Sequence, residues 1–195
     1  MRITKSSGGL PEIGGPRVIL RPFCEDDAGA LYAVRSDAEV LRYLCHTSFT
    51  ENDARGRIAQ VLRTEPGTPG QWCSFAITLG KTGELIGDCS FRYPEDDLDQ
   101  AEVGYLIGRK WWRQGYATEA VSGLVSWLVR AERKRRLFAV IDARNTGSRR
   151  VLEQVGFARD ARLDRMAWCK GQFDPESVWI LAPDRGDLSG GVRLR

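Results

Sequence analysis

The segment running from Glu102 to Ala120 holds most of the chemistry that can be read from this chain. Glu102-Val103-Gly104-Tyr105-Leu106-Ile107 reads as a strand, and a basic loop carrying Trp111, Trp112 and Arg113 follows it. Gly115-Tyr116-Ala117-Thr118 then opens a helix. The first turn of any helix leaves backbone N–H groups without partners inside the helix. Together with the positive end of the helix dipole, those donors make a site for an anion. Gly115 lets a phosphate come close to the backbone, Ala117 keeps the first turn uncluttered, and Arg113 can hold a phosphate through two bonds at once. The implied chemistry is capture of a phosphate-bearing ligand. The plainer reading, a glycine that only permits a tight turn, is outweighed by the order strand, basic loop, helix.

The elements that must position this loop follow from hydrophobic period. From Ala117 the apolar residues fall at Ala120, Val121, Leu124, Val125, Leu128 and Val129, the stripe of an amphipathic helix about four turns long. Upstream, Arg17 to Arg21 alternates and stops at Pro22, which predicts a first strand. Glu25-Asp26-Asp27 caps a helix to about Arg35, and a short helix is expected over Ala38 to Leu44. Thr50 to Asp53 starts another, with Ile58, Val61 and Leu62 as its buried face. Trp72–Leu79 and Leu85–Tyr93 read as strands joined at Gly80 to Gly83, and Ala101–Ile107 as the next. Beyond the long helix come a buried strand over Leu137–Ile141 and a helix from Thr146 to Val155 closed by Gly156. Strands over Ala161–Trp168 and Ser177–Leu181 complete the set, with Lys170-Gly171 turning the chain. Residues 1–16, rich in Gly, Ser and Pro, are expected to be a flexible leader, and 183–195 a flexible tail. The expected class is α/β (α+β): one domain over 17–182, with a mixed, mostly antiparallel sheet of about seven strands and helices on both faces.

The bulk numbers set bounds on function. A chain of 195 residues with 42% hydrophobic content can bury a core as one domain. Its 29 basic and 26 acidic residues give +3, which does not suggest a dedicated nucleic-acid binder. The run Arg133-Lys134-Arg135-Arg136 is read as the solvated end of the long helix. Cys24, Cys45, Cys73, Cys89 and Cys169 are odd in number and scattered, so neither a metal site nor a disulfide framework is expected. Cys73 and Cys89 read as small core residues. No signal peptide or membrane span is visible, so a cytoplasmic location without membrane partners is the expectation.

The loop resembles the acyl-CoA-binding motif of the GNAT acetyltransferase superfamily, and more narrowly that of the ribosomal-protein N-terminal (RimJ/RimL-type) branch. The matching stretches are Val18 to Pro22, Ala101 to Tyr105, Gly115 to Ala120 and Asn145 to Phe157, spanning about residues 17 to 181. One departure is Trp112, where the family often has Gln or Arg. The resemblance implies a splayed sheet and acetyl-CoA as cosubstrate with no metal. It also implies acetyl transfer to a primary amine, either a protein N-terminus or a small-molecule amine, by direct attack in a ternary complex. The protein would be a monomer or homodimer. The pyrophosphate would rest on Arg113, Gln114, Gly115, Tyr116, Ala117 and Thr118. Strand residues Val103, Tyr105, Leu106 and Ile107, with Asn145 and Ser148, would line the rest of the cofactor. Asn145 also suits a helix cap.

Amine acetylation needs an uncharged nucleophile and gains from a proton donor to the departing thiolate. Glu102 is the candidate base, directly or through water; an ordinary strand carboxylate is the alternative. Many family members place a Tyr acid where this chain has Leu152, so Ser148 is the candidate donor. Trp72, Phe91, Tyr105, Trp168 and Phe173 can line an aromatic cleft or belong to the core. His46 has no evident partner, and the acidic run Glu95 to Asp99 reads as a solvated loop. A competing class is an acyl-CoA-binding sensor without catalysis. An RNA-associated protein using Arg133 to Arg136 is disfavoured by the balanced charge.

Overall fold

The computed structural model describes residues 2–4 and 9–182, and these build on a ten-stranded sheet. Its strands are β1 (Arg2–Thr4), β2 (Glu12–Gly14), β3 (Val18–Pro22), β4 (Cys73–Leu79) and β5 (Leu85–Arg92). After them come β6 (Gln100–Ile107), β7 (Arg136–Asp142), β8 (Ala158–Arg159), β9 (Arg165–Cys169) and β10 (Gln172–Leu181). The helices are α1 (Ala28–Arg35), α2 (Ala38–Leu41), α3 (Glu51–Arg63), α4 (Tyr116–Arg130) and α5 (Thr146–Val155). Spatial order runs β1-β2-β3-β4-β5-β6-β7-β10-β8, with β9 on β10. Consecutive strands up to β6 are joined antiparallel; β6 and β7 are parallel, because α4 carries the chain back across one face between them.

Strand alternation divides the core into two. Phe75, Ile77, Phe91, Val103 and Ile107 project to one face and pack on the α4 stripe Ala120, Val121, Leu124, Val125 and Leu128. Trp127 meets both Phe75 and Phe91 edge-on. Ala76, Leu85 and Leu106 project to the other face, against Leu31 and Val34 of α1 and Ala54 and Ile58 of α3. Helices therefore cover both faces. Cys73 and Cys89 are buried in the first of these cores, and burial pushes both thiols up in pKa.

Several expectations are corrected. The sheet has three strands more than were expected. Each of the three, β1, β2 and β8, is two or three residues long, too short to show alternation. Part of the expected leader is thus sheet: β2 pairs with β3, and Ile13 is only 2% exposed. Ala161–Leu163 is a 3-10 turn in which Asp160 accepts from the Arg162 N–H, and the strand begins at Arg165. β10 starts five residues early because Pro175, normally a strand breaker, lies where β10 leaves β9 for β7. Leu62 is exposed rather than buried. The tail expected over 183–195 lies outside the described residues. Cys45 and Cys169, 124 positions apart, are joined in a disulfide, a pairing that sequence spacing cannot signal.

Other local signals hold. Thr50 and Asp53 form a reciprocal capping box at α3. Gly156, at φ 102°, ends α5 in the left-handed region. Lys170 and Gly171, both at positive φ, turn β9 into β10. No described helix is long and apolar enough to cross a membrane. Leu124 is fully buried and Leu62 is not. Leu124→Ala is therefore expected to cost about 2–5 kcal/mol in urea-unfolding free energy. Leu62→Ala should stay within about 0.5 kcal/mol.

Candidate active site

β6 and β7 stay together for three residue pairs, Gln100 with Arg136, Ala101 with Leu137 and Glu102 with Phe138. Beyond that point each keeps only its outer partner. Val103 to Ile107 remain on β5, and Ala139 to Asp142 on β10. The sheet opens into a V whose two facing edges have backbone groups without a strand partner. A cleft of about 800 Å³ fills the V and continues over the head of α4.

The head of α4 is built by glycine and by a distant clamp. Gly115 caps the helix at φ 80°, and Arg113 also lies in the left-handed region at φ 60°, backbone rarely held by a non-glycine residue without cause. The Arg17 guanidinium donates from Nη1 to the Gln114 carbonyl at 2.9 Å and from Nε to Glu119 Oε2 at 2.8 Å. It also lies over the Tyr116 ring. Glu119 Oε1 accepts from the N–H groups of Arg17 and Val18 at 2.6 and 2.9 Å. This clamp ties the first turn of α4 to β3. It also balances the one carboxylate in that turn, so the N-terminal dipole stays available to an anion. The indole of Trp112 donates to the Ile107 carbonyl at 2.6 Å and pins the loop entrance.

Arg113, Gly115, Tyr116, Ala117 and Thr118 border the cleft, as do Val103, Tyr105, Leu106, Ile107, Asn145 and Ser148. Gln114 does not: its side chain turns back to the Lys110 carbonyl at 2.9 Å. Asn145 caps α5, its Oδ1 accepting from Ser148 N–H at 2.9 Å. Tyr105 donates from its hydroxyl to the Ser148 carbonyl at 2.9 Å, and burial raises its pKa, so the phenol stays neutral. Both bonds take Ser148 backbone atoms and leave its hydroxyl to the cleft. Leu152, in the position of the family Tyr, is fully buried.

The placement of Glu102 differs from expectation. It shares a sheet face with Gly104 and Leu106, but it sits at the last paired position, below the opening. Its carboxylate accepts from Arg92 Nε at 2.7 Å, and Arg92 in turn stacks on Trp72. It is not among the residues lining the cleft. Of the aromatics considered, Trp72 and Tyr105 line the cleft and Phe91 is core. Trp168 and Phe173 are mostly exposed and pack on each other. Within the basic run, Lys134 reaches the Leu98 carbonyl and Arg135 faces Asp99, so that run is tied to the acidic loop.

Sequence reasoning missed the charged groups of the cleft. Asp88, inside an apolar strand, is 1% exposed and accepts from Arg35 Nε and Nη2, both at 2.8 Å. Burial alone would raise its pKa, but Arg35 and Arg57 hold it below the usual carboxylate range. At the β7–β10 end, Asp142 and Asp174 share Arg144, while Glu176 takes Arg165 at 2.7 Å. A lone acid among apolar strand residues was the signal available for Asp88. The acids of β10 carried none.

Residues 17–158 match the family model described as an acetyltransferase (GNAT) domain. The Bacillus licheniformis protein named uncharacterized N-acetyltransferase p20 is 32% identical over 158 residues, 80% of this chain and 88% of its own. An acetyltransferase (GNAT family) from Bacillus anthracis superposes at TM-score 0.75, over 88% of this chain and 98% of its own, at 23% identity. RimL, the ribosomal L7/L12 α-N-protein acetyltransferase solved with coenzyme A, superposes at 0.74 over 89% and 98%, at 18% identity. The two superpositions speak for the fold alone. With the family model covering β6, β7, the α4 loop and α5, this chain belongs to the GNAT family of acetyl-CoA-dependent acyltransferases.

Proposed function

We propose that the chain transfers acetyl from acetyl-CoA to a primary amine, on a protein N-terminus or a small molecule, by direct attack within a ternary complex. The observation that carries this reading is the meeting of two features: the unpaired amides at the head of α4 open directly into the V between β6 and β7. In this reading Arg113 and the amides of Gly115 to Thr118 hold the pyrophosphate. The pantetheine lies along the parted strands, its amides finding the backbone groups those strands leave unpaired. Asn145 presents α5 to it. Resemblance to the ribosomal-protein branch supports a protein N-terminus as one acceptor.

The amine must reach the thioester uncharged. Attack forms the new C–N bond, and collapse of the tetrahedral adduct breaks the C–S bond and releases a thiolate. Ser148 is positioned to donate a hydrogen bond to that thiolate. A hydroxyl is a weak acid, but a thiolate is a tolerable leaving group. Glu102 is occupied by Arg92 and can act only through water. Glu176 lies in the cleft with Oε1 outside its bond to Arg165, and in this reading it receives the amine proton.

Gly115→Val would force a β-branched residue into left-handed backbone and set its Cβ 3.2 Å from Arg17 Nη2. Calorimetry should then show acetyl-CoA affinity reduced at least about tenfold with the fold retained; an unchanged affinity would take the loop out of the mechanism. Ser148→Ala should slow thiol release roughly tenfold in kcat, with little change in KM for acetyl-CoA. In pH–rate profiles Glu176→Gln should depress the acid limb, where the amine is mostly protonated, more than Glu102→Gln does. The opposite ranking restores Glu102 as base. Binding of acetyl-CoA with no thiol release on any amine would favour the sensor.

A further inference from the structure

The polar cluster under the cleft contains one guanidinium too many. Asp88 spends both carboxylate oxygens on Arg35, at 2.8 Å each. Arg57, from α3, approaches the same carboxylate only to 3.6 Å and donates to Ser74 Oγ at 3.4 Å. Its Nε is buried and has no hydrogen-bond partner among the described residues. Burial, with Arg35 adding to it, draws the Arg57 pKa below the ordinary arginine value, although Asp88 opposes this. Each of the other carboxylates lining the cleft has an arginine partner other than Arg57. Glu39 faces Arg42, Asp142 and Asp174 share Arg144, and Glu176 takes Arg165.

Arg57 lines both the cleft and a second cavity of about 670 Å³. That cavity is also lined by Arg35, Lys170 and His46, with Asp53 its one carboxylate, and Asp53 is engaged in capping α3. A partly buried cation lacking a full set of partners is costly. The flat guanidinium fork matches a carboxylate through two parallel bonds.

We propose that Arg57 is the specificity-determining residue for the acceptor, which is a primary amine that also carries a carboxylate. The inference rests on the transferase reading above and deepens it. The carboxylate has two chemical sources, a small amino acid or an acidic side chain close to a peptide N-terminus.

The test uses two matched pairs of acceptors in thiol-release kinetics: 4-aminobutyrate against 4-aminobutyramide, and a Ser-Asp-led peptide against its Ser-Asn counterpart. The charged member of at least one pair should be favoured about 10-fold to 100-fold in kcat/KM, mainly through KM; which pair shows it identifies the source. Arg57→Gln should abolish the preference while binding acetyl-CoA normally, and Arg57→Lys should keep part of it. Equal turnover within both pairs, or a preference that survives Arg57→Gln, overturns the proposal. Glutarate binding to the full chain loaded with CoA, followed by calorimetry, separates this from failure of the transferase reading. If no amine is acetylated but glutarate binds in an Arg57-dependent way, the anion site stands and the transferase reading falls. If glutarate does not bind either, the anion site falls with it.

Discussion

Between Glu102 and Val103 on one strand, and between Phe138 and Ala139 on the next, a closed sheet becomes an open one. Three parallel pairs hold β6 to β7 at one end, and at the other each strand is kept by its outer antiparallel neighbour. Parallel neighbours cannot be joined by a tight turn, so the crossover helix α4 must lie between them in sequence. Its N-terminus therefore falls at the same end of the sheet as the opening. The site follows from that coincidence. Strand edges with unpaired backbone groups and a helix head with unpaired amides face one space, and only a ligand with both an anionic and an amide-rich portion uses both.

What keeps the head of α4 fixed lies far away in sequence. Arg17 and Glu119, 102 positions apart, exchange a side-chain ion pair while Glu119 also takes two backbone N–H groups from the start of β3. Half of this clamp is exposed, and as an isolated ion pair it would contribute little. Its value is positional. Arg17 also holds the Gln114 carbonyl, so the loop is braced from β3.

The end of the cleft beside α1 and α3 is governed by burial of charge. On the α1–α3 face of the sheet Asp88 is buried beside Ser74 and Ser90, and two arginines converge there on one acid. Chain segments on both sides of this end are joined by the Cys45–Cys169 disulfide and by Lys170 Nζ, which reaches the Leu41 carbonyl at 2.7 Å. The wall of the cleft is thus assembled from segments more than a hundred positions apart.

The sequence by itself determined the elements whose signals are local. The α4 stripe, the Thr50 capping box, the span of α5 with Gly156 behind it, and the hairpin turns depend on neighbours within a few residues, where period and cap chemistry act. It also located the glycine turn that opens α4, because strand, loop and helix are contiguous there. The tertiary structure alone decided the rest. It set Glu102 below the opening and onto Arg92, turned Gln114 away, drew the 12–14 segment into the sheet and joined Cys45 to Cys169. It also gathered Arg35, Arg57 and Asp88 from three elements. Each of these outcomes depends on which strands pair and where they part, and pairing between distant segments is settled by burial of the whole sheet, which no short stretch of sequence records.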